Sequence, residues 1–158
     1  MNSYRLLLFL HIGAAVIAFG STVAYPFLQV VAEKQGVPGA RFFMAFGKRI
    51  SRFLQYPGFA ILLVAGIGLI FDNETGYKDD LPGWLLISAG LFLAIIAFEM
   101  FLMAPILKRA NAVLDTADDK APLPPEYVQL GKLMGLIGTG QSVLAVVVLF
   151  LMIWKPGA

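Results

Sequence analysis

No cysteine occurs among the 158 residues. That excludes disulfides, thiolate metal sites, iron–sulfur clusters and haem attached through a CxxCH motif. Charge is scarce too: 14% of the residues are Asp, Glu, Lys or Arg, where a soluble domain carries about a quarter. Histidine occurs once, at His11. The small net charge of +2 comes from an uneven placement of lysine and arginine, and it carries no nucleic-acid reading.

Hydrocarbon takes the place of charge, with 59% of the residues hydrophobic. Four apolar stretches run roughly from Leu6 to Ala32, Phe53 to Phe71, Gly83 to Leu107 and Leu133 to Trp154. At 1.5 Å per residue each can cross a hydrocarbon core of about 30 Å. His11 interrupts the first and Glu99 the third. The expected fold is an all-α integral membrane four-helix bundle, a single transmembrane domain over residues 1–158. Its expected spans are about 4–32, 43–71, 83–109 and 126–154. The first run is longer than the apolar region of a secretory signal and continues past Tyr25-Pro26-Phe27, so it is expected to stay as a span.

Lysine and arginine set the expected orientation. Lys34, Arg41, Lys48, Arg49 and Arg52 lie around the first connection, and Lys108, Arg109, Lys120 and Lys132 around the third. The opposite side holds Arg5, Lys78 and Lys155 and an acidic loop, Asp72, Glu74, Asp79 and Asp80. The positive-inside rule then puts both termini outside the cytoplasm, with helical spans pointing to an inner or plasma membrane. Tyr4, Tyr77, Trp84 and Trp154 would sit at the outer interface as aromatic anchors. Gly36-Val37-Pro38-Gly39 reads as a turn before a basic amphipathic entry into the second span. Pro124 or Pro125, followed by Glu126, suits the start of the fourth helix.

Self-comparison suggests a duplication. "IAFGSTVAYPFL" (17–28) aligns with "IAFEMFLMAPIL" (96–107) at five of twelve positions, and "FGKRIS" (46–51) aligns with "LGKLMG" (130–135). Spans one and three run the same way, so the halves would be parallel helix-pair repeats about an axis along the membrane normal. Pro26 and Pro105 would then kink equivalent turns. The pairs Gly47/Ser51 and Gly131/Gly135 are small residues four apart, the pattern of close helix packing in membranes. His11 falls opposite Gly90 and Glu99 opposite Gly20, so neither polar residue serves a symmetric scheme.

Two residues are candidate sites. His11, roughly 10 Å into the first span at 1.5 Å per residue, has the chemistry to ligate haem iron, hold a metal or pass a proton. It can equally donate one hydrogen bond to a neighbouring helix carbonyl. Glu99, about 13 Å inside its helix end, calls for a partner, because a lone charge in lipid is costly. Arg52 is the expected one, with Lys48 or Arg49 one turn below. Gln141, Gln55, Ser21 and Thr22 read as interhelical hydrogen bonders. Met44, Met100, Met103 and Met134 read as gap fillers rather than soft metal ligands.

"LLLFLHIGAAVIAFGSTVAYPFL" and "GWLLISAGLFLAIIAFEMFLMAPILKRANAVLD" resemble the small bacterial predicted integral membrane proteins grouped as domain of unknown function 2269. More distantly, a histidine near the start of the first span is similar to CopD-type copper-resistance membrane domains and HemJ-type protoporphyrinogen oxidases. The HemJ-type resemblance implies that His11 is a haem b ligand. That type also carries a lysine early in its third span, where this chain reads Trp84-Leu85-Leu86-Ile87-Ser88. The departure removes support for the oxidase reaction, and copper handling lacks a second histidine. Two functional expectations follow. One is a haem-b-binding membrane protein centred on His11. The other is a non-catalytic accessory or structural subunit, or a small dimeric transporter, whose partners are the bilayer and a second copy or other membrane subunits.

Overall fold

The computed structural model describes residues 2–157. It has no strand among them; the helices are α1 (Ser3–Glu33), α2 (Gly36–Ile50), α3 (Tyr56–Phe71), α4 (Gly83–Phe98), α5 (Ala104–Asp115) and α6 (Pro125–Trp154). Short π-helical turns, Ser51–Gln55 and Glu99–Met103, join α2 to α3 and α4 to α5. The chain therefore forms four continuous rods, 3–33, 36–71, 83–115 and 125–154, each long and apolar enough to cross a membrane. Between 17% and 28% of each apolar window is buried in the bundle, so most of that surface needs lipid as its solvent.

Rods two and three run beyond the expected spans. The first connection is only Lys34 and Gln35, and Gly36 makes the turn at φ 72°, a conformation that glycine tolerates without cost. Pro38 already lies in the first turns of α2, where its missing N–H does no harm. The expected four-residue turn is thus a one-glycine turn, and helix begins earlier.

The π turns have a local cause. The Tyr56 N–H reaches back to the Ser51 carbonyl and the Ala104 N–H to the Glu99 carbonyl. Each is followed at once by proline, Pro57 and Pro105. A proline ring collides with the carbonyl four residues back and offers no N–H, and a widened turn accommodates both defects. Pro26 sits inside an uninterrupted α1. The irregular turns fall in rods two and three, whereas the repeat would pair rod one with rod three and rod two with rod four.

α1 packs along α3 and α6, α4 packs along α6, and α2 meets α5 at the end bearing Lys34 and Lys120, called here the basic end. Rods one and three are diagonal. Toward the acidic end, the core gathers Ala14, Ala15, Ala18, Phe19, Phe59, Leu62, Phe92, Ile95, Ala145 and Val148. Phe19, Phe59 and Phe92 meet edge to face at 5.6–6.3 Å between ring centres, tying three rods. A second cluster at the basic end includes Val37, Phe43, Met44, Met103, Leu114, Tyr127 and Met134. Met44, Met103 and Met134 do fill core gaps, whereas Met100 is exposed. Trp84 is buried beneath Tyr77, and Lys155 lies over its ring.

Arg41 closes the basic end. Its guanidinium donates to the Leu114 carbonyl (2.7 and 3.1 Å), to the Ala117 carbonyl (2.7 Å) and to Asp119. Leu114 lies in the last turn of α5, a helix end where a cation is favoured, and its carbonyl also accepts from the Ala117 N–H. Arg41→Ala is expected to cost about 2 kcal/mol in thermal unfolding of detergent-solubilised protein. Arg41→Lys should recover less than half, because an ammonium cannot span the same fork of acceptors.

Candidate functional site

His11 sits on the flank of α1 that faces α3. Its Nδ1 lies 3.0 Å from the Leu62 carbonyl, to which it donates as the Nδ1–H tautomer. The ring reaches the helix backbone because position 66 is glycine: a Cβ there would stand 3.0 Å from His11 Cε1 and 3.3 Å from Nδ1. The imidazole is half-buried. Among the described residues, no group of three or more His, Cys, Asp or Glu side chains could hold a metal ion.

A polar layer crosses the bundle between the two apolar clusters. The Tyr25 hydroxyl donates to the Gly47 carbonyl (3.2 Å) and lies 3.4 Å from Ser51 Oγ, which donates to Gln55 Oε1 (2.8 Å). Gln55 Nε2 donates to Thr22 Oγ1 at 3.1 Å. From rod four, Gln141 Nε2 donates to the Ile95 carbonyl and to Glu99 Oε2, each at 3.4 Å, while Ser142 Oγ donates to the Gly138 carbonyl of its own helix at 2.8 Å with the Thr22 carbonyl 3.4 Å away. Gln55, Gln141 and Thr22 thus bond across helices as expected. Ser21 instead bonds its own helix at the Ala18 carbonyl.

Arg52 is not brought to Glu99. Its side chain is exposed and lies over the Phe53 ring at 5.8 Å. Gln55, three positions on, takes the inward face of the π turn, which leaves Arg52 at the bundle's edge. The ion pairs among the described residues are Arg41–Asp119 and Arg109–Glu126, so Glu99 has no cation within salt-bridge distance and takes a single amide donor. It lines a groove of about 440 Å³ between rods two and three, with Tyr56, Phe59, Ile96, Met100 and Ala104. A second groove of about 430 Å³, between rods three and four, is lined by Phe98, Leu102, Ile137, Gly140, Gln141, Val143 and Leu144. Glu99 and Gln141 form the polar seam between them.

The two small-residue pairs converge on α1. Gly47 and Ser51 take Tyr25, whereas Gly131 and Gly135 take Gln29, one turn further along. Gln29 is buried, and its Nε2 donates to the Gly131 carbonyl and to Glu33 Oε1, both at 2.8 Å. Neither Gln29 nor Arg41 stood out in the sequence as a packing residue. The signal for Gln29 was an amide in an apolar run four residues before Glu33.

These features describe a membrane bundle whose polar side chains mostly lock helices together, with one acid left facing a lateral groove. No curated protein and no solved structure matches the chain significantly. A family model described as predicted integral membrane protein (DUF2269) matches residues 5–156. The chain belongs to that family of integral membrane proteins.

Proposed function

We propose that the protein is a non-catalytic membrane module, a scaffold or accessory subunit, in which His11 is a helix clasp. The observation that carries this reading is the 3.0 Å bond from His11 Nδ1 to the Leu62 carbonyl over Gly66. Tyr25, Gln29 and Gln55 are likewise engaged in bonds between helices. Lysine and arginine placement supports both termini on the non-cytoplasmic side of an inner or plasma membrane. The exposed apolar faces fit a bilayer, with a second copy or another membrane subunit as a protein partner.

Haem b on His11 fits this arrangement poorly. The Nδ1 bond to α3 leaves Nε2 free and does not decide the matter, but no second histidine or cysteine exists as a further axial ligand, and neither groove described above contains His11. The two readings separate in one experiment. Protein expressed with added haem precursor and purified in detergent is expected to show no Soret absorbance. His11→Ala should lower its unfolding free energy by about 1 kcal/mol, the usual worth of one interhelical hydrogen bond. A Soret band that disappears in His11→Ala would overturn the clasp and restore the haem site.

A further inference from the structure

We propose that the groove between rods two and three is a binding site for a hydrophobic organic cation that enters from the lipid. Three observations meet there. The first is Glu99, a half-buried acid with no lysine or arginine within 4.0 Å; its one hydrogen-bond donor is the neutral amide of Gln141, at 3.4 Å. An acid in hydrocarbon calls for a counter-charge, and a cationic ligand would supply it. The second is the pair of aromatic rings, Tyr56 and Phe59, that line the same groove. Ring faces beside a carboxylate form a favourable environment for an organic cation, because the ring quadrupole adds to the charge. The third is shape. The volume of about 440 Å³ lies in the range of small-molecule sites, and Ile96, Met100 and Ala104 complete an apolar wall. α3 and α4 meet at the Phe59–Phe92 ring contact and are otherwise little packed along one another, and the groove is walled by residues of the membrane-spanning rods.

Charge complementarity selects this occupant. A lipid acyl chain would fill the apolar wall but leave Glu99 without a partner, and an anionic headgroup would be repelled by it. A small hydrated metal ion would find one carboxylate and no further acidic or histidine ligand cluster among the described residues. A cation that is itself apolar satisfies both the acid and the wall.

The test uses the full chain in phosphatidylcholine nanodiscs with radiolabelled tetraphenylphosphonium as probe. Wild type is expected to bind it saturably, and neutral triphenylphosphine oxide should not displace it. Glu99→Gln, which keeps the shape and still accepts from Gln141, should weaken binding at least tenfold with the melting temperature little changed. Tyr56→Leu should weaken it several-fold. Ile96→Trp, which fills the groove and leaves the acid in place, should abolish it, and it decides the matter if Glu99→Gln proves unstable. No saturable binding to wild type, equal binding by Glu99→Gln, or equal displacement by the neutral analogue would each overturn the proposal. Each of these results leaves the clasp role of His11 untouched.

Discussion

Gly58→Leu is expected to destabilise the bundle by about 3 kcal/mol or more, the upper range for overpacking a tight contact. Gly58 is buried where rods one and two cross. A Cβ on it would stand 3.1 Å from Ala18 Cβ and 3.5 Å from both the Ala14 carbonyl oxygen and Ala18 Cα. Two of those three neighbours are backbone atoms, which cannot turn aside. The helices would have to separate, and with them the edge-to-face contact of Phe19 on Phe59 and the bond of Gln55 to Thr22. Small residues permit such approach in membranes, where packing replaces the hydrophobic drive. Gly20→Leu is the control, since a Cβ there meets nothing within 4 Å. Thermal unfolding in detergent, followed by circular dichroism, should show a large loss for Gly58→Leu and little change for Gly20→Leu. Equal melting of the two variants would mean that this crossing does not hold the fold.

At the basic end, Gly131→Leu should cost about 3 kcal/mol by the same reasoning, with a different signature. Its Cβ would come within 2.8 Å of Glu33 Oε1 and 3.3 Å of Gln29 Nε2. These are ends of side chains, which can move, but Gln29 holds both the Gly131 carbonyl and Glu33. Moving it breaks two bonds inside a buried site. In a Gln29→Ala background the same substitution should therefore cost less than half as much, and a double-mutant cycle would report the coupling. Additive losses would place the strain elsewhere. Gly135→Leu should be milder, because its nearest neighbour would be Gln29 Oε1 at 3.9 Å.

The residues differ in how far they could be read from the chain. The small pairs at Gly47/Ser51 and Gly131/Gly135 are legible in the chain, because spacing of four on a helix is a local property. That both pairs pack on α1, through Tyr25 and Gln29, was not local and stayed invisible. Glu99 was recognisable as a costly residue needing company. The partner the fold supplies is Gln141 and not Arg52, since depth along a helix is countable from sequence but the face it presents is not. The π turn at Ser51–Gln55 adds to this: it shifts the phase of rod two and leaves Arg52 at the edge with Gln55 inside. Pro57 is the sequence sign of that turn.

Run length and the scarcity of charge were enough to establish four helical spans and a lipid environment, because hydrocarbon thickness and backbone hydrogen bonding leave few alternatives. Which polar groups are consumed and which remain for a ligand depended on how four rods rotate against each other. Hydrophobic pattern says little about that rotation when lipid and core are equally apolar. It was settled by glycine contacts at Gly58, Gly66 and Gly131, and it spends His11 on a carbonyl while turning Glu99 toward an open groove.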